Sequence, residues 1–253
     1  MSADPATRKG VVILGATSAI ARAAAIEFGR KGYDLIVASR DGGENETIAA
    51  DVRVRSGAHV TALPFEAEDT ASHPAFFAQC REQFDDNLAG VVLCFGCLFE
   101  QEAAQQDFAL ARRTIDVNFT GAVSILEKFA AHFEERRAGF ICAVSSVAGD
   151  RGRQSNYHYG AAKAGLTTYL EGLRNRLFQA GVPVTTVKPG FVDTKMTFGK
   201  PGLMLVAPAE KAAKDIVKAA LKGRNVVYTP WFWRYIMLII RHVPEPVFKR
   251  LKL

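Results

Sequence analysis

Between Val11 and Tyr228 the sequence alternates short, unbroken apolar runs with segments of helical period. The runs are Val11 to Leu14, Leu35 to Ala38, Val60 to Phe65, Val91 to Phe95, Phe140 to Val144, Val182 to Val187 and Val226 to Tyr228. Between them, helical spacing predicts helices over about Ala19 to Lys31, Glu44 to Ser56, Ala75 to Phe84, Phe108 to Arg137, Tyr157 to Gln179 and Ala209 to Leu221. A strand that is apolar on both sides has to be covered on both faces, and a helix between successive strands makes them run parallel. The expected fold is α/β, a doubly wound parallel sheet of about seven strands with helices on both faces. No repeat, linker or low-complexity segment divides it, so residues 1–253 are expected to form a single domain, with an amphipathic basic segment over 230–253.

An apolar content of 49% fills a sizeable core and excludes disorder as the dominant state. Four cysteines make no disulfide framework in a chain of 253 residues, and the polar start lacks an apolar leader, so a cytoplasmic setting is expected. Cys94 and Cys97 form a C-x-x-C without a second pair of ligands; they are expected to pack in the fold, and no metal site is expected. The formal charge of +6 has an address. From Lys222 onward there are seven cations, Lys222, Arg224, Arg234, Arg241, Lys249, Arg250 and Lys252, against one acid, Glu245. The tail therefore carries the whole excess, and nucleic acid is not an expected partner.

In sheets of this Rossmann type, ligands lie beyond the carboxyl ends of the strands. The first strand-to-helix turn reads Gly15-Ala16-Thr17-Ser18-Ala19-Ile20-Ala21, where a helix start offers N–H groups to a pyrophosphate and Thr17 and Ser18 can add hydroxyls. Of the three glycines usual in a dinucleotide turn, only Gly15 is present. The second strand ends Ser39-Arg40, a donor and a cation where a free ribose 2′-hydroxyl would want a carboxylate. NADPH, or NADP in the reverse direction, is therefore expected in preference to NAD.

The most specific pattern is Tyr159-Gly-Ala-Ala-Lys163. Positions four apart on a helix share one face, and an ammonium beside a phenol favours the phenolate, so the expectation is a tyrosine of lowered pKa that trades protons. Ser145 and Ser146 end the fifth strand, where a hydroxyl can polarise a carbonyl. Tyr157 and His158 are expected to turn away from the site.

These residues resemble the short-chain dehydrogenase/reductase family over nearly the whole chain. The resemblance implies a catalytic tetrad of Asn118, Ser146, Tyr159 and Lys163. In it Tyr159 is the acid/base, Lys163 lowers its pKa and binds the nicotinamide ribose, Ser146 orients the carbonyl, and Asn118 holds a water of the proton relay. It also implies cofactor contacts from Gly15, Thr17, Ser18, Ala19, Ile20, Ser39, Arg40, Glu66, Cys94, Gly96, Tyr159, Lys163, Pro189, Gly190, Val192 and Thr194. The family's Asn-Ala-Gly after the fourth strand reads Cys94-Phe95-Gly96 here. Relatives are commonly homodimers or homotetramers through the helices that carry Asn118 and Tyr159.

After Gly190 an apolar stretch, Phe191 to Pro208, reads as a lid over the substrate. The tail carries Trp231, Trp233, Tyr235 and the run Ile236 to Ile240 between Arg234 and Arg241, too short for the about 20 residues of a membrane span. Two readings stand side by side: a helix lying on the inner face of a membrane, or aromatics packed over the substrate cleft or a subunit contact. The tail and the first turn resemble the family branch containing decaprenylphosphoryl-2-keto-arabinose reductases. The functional expectation is an NADPH-dependent reductase turning a ketone into a secondary alcohol, on a lipid-linked or amphiphilic keto-sugar. The alternatives are a reductase of a soluble lipid, steroid-like or acyl ketone, and a non-catalytic nucleotide-sensing or scaffold protein.

Overall fold

In a computed structural model, which describes residues 8–196 and 205–251, the alternation becomes one seven-stranded, all-parallel sheet of order β3-β2-β1-β4-β5-β6-β7. The strands are β1 (Gly10–Leu14), β2 (Asp34–Ser39), β3 (Val60–Pro64), β4 (Leu88–Leu93), β5 (Phe140–Val144), β6 (Val184–Pro189) and β7 (Val226–Thr229). The helices are α1 (Ala19–Arg30), α2 (Gly42–Ser56), α3 (His73–Phe84), α4 (Gln101–Gln106), α5 (Phe108–Ile115), α6 (Gly121–Arg136), α7 (Tyr157–Leu177), α8 (Ala209–Leu221), α9 (Trp233–His242) and α10 (Glu245–Phe248).

The continuous apolar runs are explained by what covers each face. Along β1, Val11 and Ile13 pack under α1, α2 and α8, against Phe28, Val52 and Ile216. Val12 and Leu14 point the other way, to α3, α6 and α7, against Phe76, Phe129 and Leu170. Side chains alternate across a strand, so burial on both faces leaves β1 no position that meets water. Cys94 packs at the edge of the first core and Cys97 at the edge of the second.

Strand order reverses between β1 and β4, and there the turns after their carboxyl ends lie side by side. Cys94 N donates to Leu14 O at 2.8 Å, and a Cβ on Gly15 would stand 2.7 Å from Phe95 Cα. Gly15 also has φ +87°, so both its conformation and its neighbour require the missing side chain.

Two predicted elements are corrected. The fourth strand spans Leu88–Leu93, and Cys94 and Phe95 lie beyond it in the turn. The long helix expected over Phe108 to Arg137 is α5 and α6 joined by a π-helical turn, Asp116–Thr120. Of the expected lid, residues 197–204 lie outside the described residues. Its two ends are clasped, since Ala207 N donates to Phe191 O at 3.0 Å and Asp193 N to Ala207 O at 2.9 Å.

The C-terminal segment docks on its own chain. Trp233 and Met237 are buried with Val147, and Phe191, Phe232, Ile236 and Ile240 pack around them. Arg151 fixes the far end of α9, donating to the carbonyls of Ile240 (2.6 Å), Arg241 (3.3 Å) and Val243 (2.7 Å) and to Glu245 Oε2 (2.9 Å). Its guanidinium also lies 3.6 Å from the centre of the Phe248 ring. A cation on the last carbonyls of a helix answers both their unpaired acceptors and the negative end of the dipole. Arg151→Ala is expected to loosen α9 and α10 by about 2 kcal/mol and open the tail to limited proteolysis, with β1 to β7 still folded. A tail as protease-resistant as the wild type's would show that the apolar contacts alone hold it.

Candidate active site

The site stands at the carboxyl ends of β4, β5 and β6, where α7 crosses them. Ser146 follows β5 and starts a short 3₁₀ turn, Val147–Gly149, with its Oγ accepting from Ala148 N at 3.1 Å. This turn lies backbone to backbone on α7: a Cβ on Gly149 would come within 2.8 Å of Ala164 N, and one on Gly160 within 2.9 Å of Ala148 O. The close approach sets the Ser146 hydroxyl beside the Tyr159 phenol, where it favours the phenolate. Ser145 points the other way. It is buried, donating to Lys163 O at 3.0 Å and sharing a hydrogen bond with Thr167 Oγ1 at 2.8 Å.

Lys163 lies one helical turn beyond Tyr159 on the same face, its Nζ 5.8 Å from the Tyr159 ring centre. The ammonium is buried at 3% exposure and donates to Val144 O at 3.1 Å. Burial brings its pKa down to about 8. Burial also pushes the Tyr159 phenol up to about 12, with the Ser146 hydroxyl pulling it back in part. The expected lowering of the Tyr159 pKa by Lys163 is thus overturned for the protein without ligands. At nearly 6 Å from the ring, with one proton on Val144 O, the cation does not offset the loss of water around the phenol. The tyrosine stands as a protonated acid across the neutral range.

Asn118 sits in the π-helical turn, a form of winding that recurs at functional sites. Its Nδ2 donates to Thr114 O (2.8 Å) and Cys97 O (2.7 Å), which fixes the amide and leaves Oδ1 buried without a partner. That oxygen and Lys163 Nζ converge on Gly96: a Cβ there would stand 2.6 Å from Oδ1 and 3.5 Å from Nζ. An unpartnered buried acceptor, an ammonium with donors to spare and an exposed glycine between them fit a polar group entering from solvent, such as the ribose of a dinucleotide.

Further along the carboxyl edge, the α1 start has Ser18 as its N-cap with no side-chain cap, and Thr17, Ser18 and Ala19 reach the surface above buried Gly15 and Ile20. Arg40 is exposed, its Nε 3.7 Å from Glu66 Oε2, so the expected cation and the expected adenine-side acid face one another. Ser39 does not join them. It is buried and donates to Asn45 Oδ1 at 2.6 Å, while Asn45 Nδ2 reaches Ser39 O and Leu63 O. Its hydroxyl holds Asn45, whose amide in turn pins α2 to the ends of β2 and β3, which corrects the expectation of a phosphate donor. Burial pushes the Cys94 thiol up to about 12, leaving a neutral group on the floor of the crevice. Pro189 ends β6, Gly190 N donates to Thr229 O at 3.0 Å, and Val192 is buried against Ala207, with Thr194 two residues further on. His158 faces α4, its Nδ1 2.8 Å from Gln101 Nε2, and the Tyr157 ring lies on His158.

Two features escaped sequence reasoning. Asp150, just beyond the Ser146 turn, is buried against Lys188 Nζ (2.5 Å) and accepts from the Tyr228 hydroxyl (2.8 Å), tying that turn to β6 and β7. Trp233 lies over Gly190, where any Cβ would overlap the indole. Both are contacts between segments far apart in the chain, for which no local pattern exists.

The short chain dehydrogenase family model matches residues 9–201. An uncharacterized oxidoreductase of Mycobacterium tuberculosis is 32% identical over 241 residues, covering 95% of this chain and 96% of its own. Among solved structures, a short-chain dehydrogenase from Sphingobium yanoikuyae in complex with NADPH superposes with a TM-score of 0.77 at 23% identity, over 94% of this chain and 97% of the other. An actinorhodin polyketide ketoreductase with NADPH gives 0.79 at 18% identity, over 90% and 97%. Family model, full-length relative and fold agree, and the chain belongs to the short chain dehydrogenase family.

Proposed function

We propose that this protein reduces a ketone to a secondary alcohol with NADPH. The observation that carries the reading is the Tyr159 phenol, protonated at neutral pH, set beside the Ser146 hydroxyl and one helical turn from the buried Lys163. Bound NADPH supplies the hydride. The chain's own residues hold the reactants and deliver the proton. Ser146, whose Oγ already accepts from Ala148 N, keeps its own proton for the phenol or for a carbonyl oxygen. Tyr159 donates its hydroxyl proton to that oxygen as negative charge develops there. Lys163 and the free Oδ1 of Asn118 face the ribose side, where Lys163 binds hydroxyls and Asn118 holds the water that returns a proton to Tyr159. Gly15, Thr17, Ser18, Ala19 and Ile20 take the pyrophosphate at the start of α1. Glu66 lies on the adenine side, and Cys94, Gly96, Pro189, Gly190, Val192 and Thr194 line the nicotinamide end.

Arg40 is the residue we assign to the 2′-phosphate. Arg40→Ala is expected to raise the KM for NADPH about 10- to 100-fold and leave that for NADH nearly unchanged. Equal losses with both cofactors would remove the assignment.

The substrate we propose is an amphiphilic keto-sugar, such as a lipid-linked one, because Val147, next in the chain to the polar Ser146, packs with Phe191 and Trp233 in an apolar cluster that would wall that side of the site. That wall also suits the apolar body of a soluble acyl or steroid-like ketone. The test is consumption of NADPH across three panels: lipid-phosphate keto-sugars, steroid-like ketones and acyl ketones. Preference for the first supports the reading, preference for either other panel replaces it, and no turnover with any ketone leaves a cofactor-binding scaffold. We further propose a homodimer or homotetramer through α6 and α7, where Gly165 and Gly172 leave an open groove beside Phe119 and Tyr169.

A further inference from the structure

The charge excess of the sequence gathers in the fold along one groove. β7 is the edge strand, and between α8, β7 and α9 runs a groove of about 1000 Å³. Lys218, Lys222, Arg224, Arg234 and Arg241 line it and are exposed. None of the five is in a salt bridge among the described residues; the ion pairs of this region use Lys188 with Asp150 and Arg151 with Glu245. Of the acids beside the groove, Asp215 accepts from Thr229 Oγ1, and Glu171 is the other.

α9 has two faces. Trp233 and Met237 point inward to Val147 and the Gly190 turn. Outward stand Trp231 (69% exposed), just before α9, with Tyr235 (58%) and Leu238 (54%) on it, all lining the groove beside Arg234 and Arg241, while Ile239 (69%) is exposed further round the helix. Aromatic rings with one polar edge suit the headgroup level of a bilayer, aliphatic side chains suit the acyl boundary, and neighbouring cations suit anionic headgroups. No helix among the described residues is long and apolar enough to cross a membrane, so such a helix would lie on the surface.

We infer that the outer face of α9 and the basic groove beside β7 dock on an anionic lipid surface. Charge decides against a second copy of the chain as the occupant. A twofold contact here would set five unpaired cations against the same five. The inner face of the same helix touches the Gly190 turn and Val147, so docking would set the bilayer about 10 Å, one helix diameter, from the proposed substrate wall. Only this last consequence rests on the function proposed above.

The test is sedimentation of the full chain with vesicles of phosphatidylglycerol and phosphatidylcholine in equal parts, beside vesicles of phosphatidylcholine alone. Binding is expected to the anionic vesicles, weakened by high salt, with little to the neutral ones. The variant Lys222→Gln, Arg224→Gln, Arg234→Gln is expected to partition roughly 100-fold less, at about fivefold per cation near the surface. Trp231→Ala with Ile239→Ala, both at exposed positions, is expected to lose about tenfold or more while NADPH binding is unchanged. Equal binding to both vesicle types, a wild type left in the supernatant, or partitioning unaffected by the three glutamines would overturn the inference. So would a dimer in sedimentation equilibrium that Trp231→Ala dissolves, since that would give the face to a second copy.

Discussion

Replacing Tyr159 by Phe is expected to lower kcat for ketone reduction by a factor of about 10² to 10⁴, with NADPH binding unchanged and thermal stability within about 1 kcal/mol of the wild type. The split follows from what the hydroxyl touches. The Tyr159 ring is half-buried on α7 and Phe keeps its packing, whereas the hydroxyl's neighbour is Ser146, at the place a carbonyl oxygen would occupy. With the phenol pushed up to about 12, its proton is present across the neutral range, and the rate profile is expected to show no limb from Tyr159 there. The base limb belongs to Lys163: with a pKa near 8 it loses its charge as pH rises through that value, and kcat/KM is expected to fall there. Near-wild-type turnover in the Phe variant, with NADPH shown to be bound, would remove Tyr159 as the proton donor.

The sequence carried the fold in its apolar runs because burial on both faces of a parallel sheet leaves an unbroken signature, and all seven strands overlap their predicted spans. Helical spacing likewise placed Tyr159 beside Lys163, and it pointed Tyr157 and His158 elsewhere, where the structure sets His158 on Gln101 of α4. What escaped has a common cause. The π-helical turn at Asn118 keeps the same apolar period as the helix around it, so only backbone geometry reveals it. Arg151 caps a helix some 90 positions later, and no local rule foresees that. Ser39 looked like a phosphate donor because its partner, Asn45, lies on the next helix and carries no mark in the sequence. The tail is instructive in another way. Trp231 precedes α9 and is exposed, whereas Trp233 opens α9 and is buried against Val147 and Gly190, so an inward and an outward aromatic are both present in one segment. The buried side of α9 answers the packing reading, and the membrane reading concerns its exposed side alone.

Lys163→Met is expected to make the protein more stable and inactive at once. A buried ammonium whose pKa falls from 10.5 to about 8 reports how much the fold disfavours its charge. Below about pH 8 it is charged both folded and unfolded, and the penalty is fully present. Between about 8 and 10.5 the unfolded chain binds more protons than the folded one, so wild-type stability should rise with pH across that window. Methionine fills a similar volume without a charge, and near pH 7 it is expected to add about 2 kcal/mol, less than the full shift implies because Val144 O loses its donor. The variant should also lose the rise in stability above about pH 8. Its turnover should fall about 10²-fold or more, since the group facing Gly96 and the unpartnered oxygen of Asn118 is gone. Urea unfolding near pH 7 and again near pH 9.5, with NADPH binding measured alongside, separates the outcomes. A variant less stable than the wild type near neutrality would mean that the Lys163 to Val144 bond outweighs the burial of charge. Stability gained with activity lost is the mark of a charge kept in the core for chemistry rather than for folding.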